Sequence, residues 1–370
     1  MKTIAIVWDN FGPMHDDRVE AVADLYRGQA DVVGIEMYGR SDTYAWDNAD
    51  ANVFRKITLF PQEDYSRNST VKTMRKLIAA CLETGARDIF LCNYERPAVF
   101  MTAMALAARG RRVYAMSCSK FDDIERRISK EFAKRLFFLP YKGAISSGTR
   151  ARDYMRLMGV PRDRIAMEYN TLSIERIRKL AGREPAPGGV PKAERHFTIV
   201  ARFVEKKNLF MALEAFARFC AASSGTRKLN LCGSGELEAK LRARVEELGL
   251  GDRVVFHGFL QSDGVARVLG ESLALLLPSV EEQFGNVVIE AQALGLPVIL
   301  SDNCGARDKL VRSGVNGFVI EPDNPEGLAF FMGLLDRDDE LWERMSLAAV
   351  QSAPKGDVAR FAEAVRELVQ

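Results

Sequence analysis

Short apolar runs alternate with stretches whose apolar residues recur at helical spacing, from one end of the 370-residue chain to the other. The runs predict buried strands at 4–7, 32–37, 89–92, 113–116, 143–146 and 164–167. Helices are predicted between them at 17–26, 70–82, 98–109, 124–134 and 150–158. The alternation stops at 181–191, which is dense in Pro and Gly and has no periodicity. It resumes with strands at 197–200, 228–231, 254–256, 273–277, 298–300 and 318–320. Helices at 209–220, 236–248 and 286–294 complete this half, and 357–370 is also helix-like. Alternation of this kind points to an α/β fold with parallel sheets, because parallel strands need a long crossover between them. Two Rossmann-like domains facing across a cleft are expected: 1–180, a linker at 181–192, and 193–356. In such sheets ligands bind at the carboxyl ends of strands, so the loops after strands are where chemistry is sought.

Composition changes this picture little. Apolar content of 47% with 28% charged residues suits a soluble globular protein. The net charge of +2 hides an asymmetry, with 30 Lys/Arg against 23 Asp/Glu in residues 1–180 and the reverse balance afterwards. A mildly basic first half is compatible with anionic ligands or an anionic membrane surface and falls far short of a nucleic-acid signature. Cys81, Cys92, Cys118, Cys220, Cys232 and Cys304 are scattered, with no Cys-x-x-Cys pair. That pattern fits reduced thiols in a cytoplasmic protein and argues against a zinc site or a disulfide frame. The apolar start, Thr3 to Val7, is interrupted by Trp8-Asp9-Asn10 and reads as a first strand rather than a signal sequence. No apolar run is long enough to span a bilayer.

The most informative stretch is Pro278-Ser-Val-Glu-Glu-Gln-Phe-Gly-Asn-Val-Val-Ile-Glu290. A strand runs into a polar turn bearing Glu281 and Glu282, and a helix opens after Phe284-Gly285. A helix start after a strand offers free N–H groups and a positive dipole end, which suit a diphosphate. Glu282 before the helix and Glu290 inside it place a carboxylate at each end of a long polar ligand, as sugar and ribose hydroxyls require. An ordinary turn with two solvated glutamates would look the same. Three further loops follow strands. Ala201-Arg-Phe-Val-Glu-Lys-Lys-Asn208 offers Arg202 and Lys207 to a diphosphate, by a bidentate fork and by a compact charge. Gly233-Ser234-Gly235 permits close backbone approach. His257-Gly258-Phe259 could meet a base edge with its backbone and pack a side chain on it.

Taken in order, these motifs and the Asn316-Gly317-Phe318-Val319 run resemble the GT4 family of retaining glycosyltransferases, which have the GT-B fold. The likeness covers roughly residues 195–335. It implies that Glu282 holds donor-sugar hydroxyls, with the backbone at Phe284 and Gly285 on the same sugar. Amides of Asn286 and Val287 meet the diphosphate, Glu290 holds the ribose, and Arg202 and Lys207 are the basic pair on the diphosphate. Gly233, Gly258 and Phe259 complete the donor side. With both cations present no metal or other cofactor is expected.

The first half resembles the family only in outline. Phe11-Gly12-Pro-Met-His-Asp-Asp17 follows the first strand, where Gly12 takes the place of a glycine-rich loop, and His15 and Asp16 become acceptor-side candidates. A helix cap and solvated side chains are the alternative. The mid-domain loop Met116-Ser-Cys-Ser-Lys-Phe121 lacks the His many family members carry there, leaving Ser117, Ser119 and Lys120 as candidates. Asn93-Tyr-Glu-Arg96 is a second acceptor loop. The basic segment 124–164 begins with Ile124, Ile128 and Phe132 set among Arg126, Arg127, Lys130, Lys134 and Arg135. Such a helix either lies on anionic lipid or buries its apolar stripe against the sheet.

The resemblance thus implies sugar transfer from a nucleoside diphosphate, with UDP- or GDP-sugars foremost, to a hydroxyl of a glycan, lipid-linked or small-molecule acceptor in polysaccharide or glycoconjugate biosynthesis. It also implies that the C-terminal helix packs back on the first domain. The alternatives are a nucleotide-sugar epimerase on the same fold and a non-catalytic nucleotide-sugar-binding protein.

Overall fold

The computed structural model describes residues 2–40 and 53–370. The chain forms two compact units, one made of the residues up to Ser173 together with Val358–Gln370, the other of Ile174–Asp357.

Unit one carries a parallel sheet of β1 (Lys2–Trp8), β2 (Ala30–Tyr38), β3 (Arg55–Phe60), β4 (Asp88–Cys92), β5 (Arg112–Met116), β6 (Tyr141–Ile145) and β7 (Ile165–Ala166). Their order is β3-β2-β1-β4-β5-β6-β7. Strand period two decides which core each residue enters. Ala5 and Val7 of β1 join Val33, Ile89 and Val113 in one cluster, while Ile4, Ile6 and Trp8 join Val32, Phe90 and Tyr114 in the other. Helices α1 (Pro13–Leu25), α2 (Thr70–Glu83), α3 (Pro97–Ala107), α4 (Ile128–Lys134) and α5 (Thr149–Leu157) follow in chain order. The C-terminal helix, Val358–Val369, lies beside α1 and closes the second cluster with Phe361, Val365 and Leu368. Its last carbonyls, which no helix can satisfy internally, accept from the Tyr114 hydroxyl at 3.0 Å (Leu368 O) and from Arg112 at 3.0 Å (Val369 O).

Unit two contains α6 (Ile174–Ala181), β8 (His196–Val200), α7 (Leu209–Ala222), β9 (Leu229–Cys232), α8 (Glu238–Glu247) and β10 (Val254–Gly258). These are followed by α9 (Ser262–Gly270), β11 (Ser272–Leu277), α10 (Val287–Ala293), β12 (Val298–Ser301), β13 (Gly317–Ile320), α11 (Pro325–Arg337) and α12 (Asp339–Ser352). The six strands are parallel, in the order β10-β9-β8-β11-β12-β13.

Three expectations differ from the structure. The units divide at Ser173/Ile174, so α6 belongs to unit two and 181–192 is not a bare connector. That Pro/Gly segment is pinned by the buried guanidinium of Arg195, which donates to Gly188 O at 2.7 Å, Val190 O at 2.9 Å and Ser272 O at 3.0 Å. A buried carbonyl needs a partner whether or not its segment is periodic. The helix expected at 124–134 begins only at Ile128, because the Arg126 guanidinium bonds the carbonyls of Lys120 (2.9 Å) and Phe121 (3.0 Å) and holds the chain there in a turn. Finally, β3, α6, α9, α11 and α12 are elements that the apolar alternation does not flag. β3 is an edge strand with Arg55 exposed and Lys56 half-buried, and α9 carries glycines.

Phe361 is fully buried, with its ring 6.0 Å from that of Trp8. Phe361→Ala should cost about 3–5 kcal/mol, since the site cannot collapse around so large a deletion. A lower urea midpoint by far-UV circular dichroism would show it.

Candidate functional site

The strand order of unit two reverses direction between β8 and β11, which are neighbours, so the loops leaving their carboxyl ends diverge and open a crevice. The four loops singled out in the sequence leave β8, β9, β10 and β11, the four strands that lie side by side on this part of the sheet. The structure therefore brings Arg202, Lys207, Gly233, Gly258, Phe259, Glu282, Phe284, Gly285, Asn286 and Val287 to one end of it.

The loop after β8 is held from both sides. Phe203 is wholly buried, and its N–H donates to Ser234 O at 2.8 Å in the loop after β9. A 3₁₀ turn, Glu205–Lys207, ends at Asn208, which sits in the left-handed region at φ +59°. Asn tolerates that conformation better than most residues. The Asn208 amide then donates to Pro278 O (3.1 Å) and Pro322 O (2.6 Å), while Val280 N–H donates to Lys206 O at 2.9 Å. These bonds lace the loop after β8 to the loop after β11 and, through Pro322, to the one after β13. Across the crevice the Lys207 ammonium pairs with Oε2 of Glu282, both side chains being about one-seventh exposed (14% and 15%). Arg202 is exposed, and no ion pair of its guanidinium occurs among the described residues.

Backbone geometry limits what else can stand here. At Gly233, φ is +145° and a Cβ would lie 1.9 Å from Ala201 O, so only glycine brings the chain this close; its N–H donates to Gly258 O at 2.7 Å. Gly285 has φ +98°, and a Cβ there would meet Leu277 Cδ2 at 2.8 Å. Phe284 turns its ring inward and presents backbone alone, with its carbonyl accepting from Ala306 N–H at 2.8 Å. The Glu282 carbonyl accepts from Gly305 N–H at 3.2 Å, and Glu282 bridges to Cys304. Phe259 is half exposed. His257 lies on the rim, with Nε2 2.9 Å from the Asn230 side-chain oxygen.

Asn286 caps α10 and Val287 is its first residue, so the helix opens directly from the loop bearing Glu282. Glu290, in its first turn, keeps part of its surface exposed yet lies deep enough that burial pushes its pKa up to about 7, against the lowering effect of Arg176. Among the described residues no group of three His, Cys, Asp or Glu side chains is placed to hold a metal ion.

Unit one reverses strand order in the same way, between β1 and β4, and there too an ion pair spans the point, Asp9 after β1 with Arg96 after β4. The Asn93–Arg96 loop thus lies beside the β1 loop. Gly12 N–H donates to His15 Nδ1 at 3.0 Å, making the ring part of the α1 cap and holding it neutral. Burial, aided by Arg18 and Lys56, drives the His15 pKa well below its usual value. Asp16 is buried, and among the described residues neither carboxylate oxygen has a hydrogen-bond partner; the Lys56 ammonium lies 3.8 Å away. Desolvation raises its pKa to about 6 despite Lys56. Glu36, which accepts from Phe11 N–H at 2.7 Å and from Thr58 at 2.8 Å, completes this acidic corner. After β5, Ser117 Oγ accepts from Ser119 N–H at 3.2 Å. Lys120 is buried with its ammonium 3.2 Å from Asp122. Asp9, Glu36, Asn208 and Lys56, all outside the sequence-based set, matter to this geometry. Asn208 is signalled by its place just before a helix; Lys56, on an unflagged strand, carries no local signal.

Residues 182–351 match the family described as Glycosyl transferases group 1. The D-inositol 3-phosphate glycosyltransferase of Streptomyces griseus is 40% identical over 114 residues, covering 31% of this chain and 23% of that protein. The amylovoran biosynthesis glycosyltransferase AmsK of Erwinia amylovora is 33% identical over 136 residues, 35% and 33% of the two chains. The chain thus spans well under half the length of these curated relatives. Among solved structures, Anabaena Alr3699/HepE, in complex with UDP and glucose, superposes with a TM-score of 0.72 at 16% identity, covering 100% of this chain and 99% of that one. The two Rossmann-like units have the GT-B fold, and residues 182–351, somewhat under half of the chain, are similar to the group 1 glycosyl transferases.

Proposed function

We propose that the protein is a retaining, metal-independent glycosyltransferase that moves a sugar from a nucleoside diphosphate to an acceptor hydroxyl in polysaccharide or glycoconjugate assembly. The observation that carries this reading is the Lys207–Glu282 pair across the strand reversal, with the exposed guanidinium of Arg202 on the same loop as Lys207. A donor offers one partner to each member of the pair: phosphate oxygens to Lys207 and sugar hydroxyls to Glu282. The two charges that satisfy each other in the free protein are then satisfied by the ligand, so neither is left buried and alone. Arg202 and Lys207 stabilise charge that grows on the departing diphosphate, with the amides at Asn286 and Val287 alongside them. These fixed cations supply what a divalent ion would otherwise give. The acceptor attacks the face from which the diphosphate leaves, and a phosphate oxygen of the leaving group takes its proton, so no protein base is required. Glu290 holds the ribose hydroxyls.

HepE, on the same fold, is solved with UDP and with UDP-glucose, which favours a UDP-sugar here, a GDP-sugar being second. The acceptor is a glycan or a lipid-linked molecule, met by unit one through His15, Asp16, Ser117, Ser119 and Lys120. Peripheral contact with a membrane through segment 124–164 belongs to the same reading.

Arg202→Ala should lower kcat by about 100- to 1,000-fold, the usual loss when one fixed donor to a developing anion is removed. Glu282→Ala should raise the donor KM as well, because it removes the carboxylate that accepts from the donor-sugar hydroxyls. Transfer rates and donor Kd unchanged in both variants would overturn the assignment. Transfer should persist in EDTA. Affinity for an intact nucleotide sugar, which does not itself titrate near neutrality, should fall by up to about tenfold per pH unit below 7 as Glu290 takes up its proton. Glu290→Gln should flatten that profile, as read by calorimetry between pH 6 and 8.

A further inference from the structure

The helix α4 is inside out. Its acidic residue Glu131 is buried, while Ile128, Phe132 and, in the following turn, Leu136 and Leu139 are 64%, 53%, 61% and 72% exposed. Ile124, just before it, is 52% exposed. The orientation is fixed from within. Glu131 accepts from the Tyr154 hydroxyl at 2.5 Å and from Lys134 at 2.8 Å, and the Arg126 guanidinium lies 3.6 Å away. Arg126 is itself held by Asp123 and by Tyr154, whose hydroxyl accepts from it at 2.9 Å. Rotating α4 to bury its apolar side chains would pull Glu131 out of this cluster and leave Arg126 short of a partner. The Phe137 ring, 4.9 Å from Phe100 of α3, fastens the far end, and α3 adds exposed Met101 and Met104 beside it.

Charge decides among occupants for this surface. Residues 124–142 contain six Lys/Arg and two Asp/Glu, and one of those two, Glu131, is inside. Arg127, Lys130, Arg135 and Lys142 are exposed, against Glu125 alone. Protruding apolar side chains with long cationic stems between them suit an interface where hydrocarbon lies below and anionic groups lie level with the cations. A second copy of the same surface would bring like charges together.

We propose that the outward face of α4 and its flanking turns, with Ile128, Phe132, Leu136 and Leu139 inserted and Lys130 and Arg135 at headgroup level, docks unit one on an anionic lipid bilayer. The proposal deepens the membrane-contact part of the functional reading and rests on it. Its test does not depend on transfer activity. Full-length protein is sedimented with vesicles of phosphatidylcholine containing about one-third phosphatidylglycerol, and with phosphatidylcholine alone. Binding is expected to the first and to be much weaker to the second. Ile128→Ser with Phe132→Ser, and separately Lys130→Glu with Arg135→Glu, should each reduce it by about tenfold or more. All these side chains are exposed, and an unaltered melting-point rise with UDP-glucose would confirm that the variants remain folded. Wild-type protein that stays in the supernatant, or variants that bind as well as wild type, would overturn the proposal. So would a dimer by light scattering that Ile128→Ser/Phe132→Ser dissociates, since that assigns the face to a second copy. Vesicle binding by a protein that shows no response to any nucleotide sugar would instead sink the donor reading and leave this one standing.

Discussion

The Lys207–Glu282 pair is the contact around which the strand-end loops of unit two are arranged. Parallel β8 and β11 lie side by side, yet their connections leave in opposite directions, so the crevice between them is a consequence of strand order rather than of any side chain. A gap of this kind must be filled by solvent, ligand or charge. Here it is spanned by an ammonium from one loop and a carboxylate from the other, both mostly withdrawn from water. Withdrawing two charges is expensive and is repaid only by good geometry and additional hydrogen bonds. That accounts for the lacing around the pair: Asn208 onto Pro278 and Pro322, Val280 onto Lys206, and the Glu282 backbone onto Cys304 and Gly305. These bonds hold the loops so that the ammonium and the carboxylate face each other across the crevice.

Unit one repeats the topology and the device but not the chemistry. Asp9 and Arg96 span its reversal, while the neighbouring corner gathers Asp16, Glu36 and Lys56 about a neutral His15. Arg18 faces the same His15, so two carboxylates and two cations meet in this corner. Asp16 in particular is buried without a hydrogen-bond partner among the described residues, and desolvation raises its pKa to about 6. Such a carboxylate is suited to a hydroxyl or ammonium donor, the opposite of what Arg202 and Lys207 are suited to.

The sequence was most legible where backbone geometry leaves one choice. Gly233 and Gly285 occupy conformations and close approaches that exclude a side chain, and Glu282 and Glu290 are set by the passage from β11 into α10, so motif and site coincide. The site in unit two could be read because its residues come from four consecutive strand–loop units of regular spacing. Legibility failed where a distant side chain decides the matter. Residues 181–192 look like a free linker until Arg195 is seen to bond their carbonyls. Lys56, which approaches Asp16 from an edge strand 40 residues away in sequence, belongs to no local pattern. α11 and α12 lie beyond the last motif and are capped by Asn324 and Asp338 side chains, signals that are visible one residue at a time but not as apolar alternation.

The orientation of α4 shows the same limit from the other side. Ile128 and Phe132 predict a buried stripe if hydrophobicity alone is consulted, and segment 124–134 carries enough cations to make a solvated opposite face plausible. The outcome is settled by Glu131, which finds the hydroxyl of Tyr154 and the charges of Lys134 and Arg126 on the inner side. A buried ion cluster adds little to stability compared with apolar packing of equal volume. What it supplies is direction, since only one face of α4 satisfies it. Exposed Ile128, Phe132, Leu136 and Leu139 are then not a packing fault but the other half of that choice, with their cost in water recovered only when something apolar covers them.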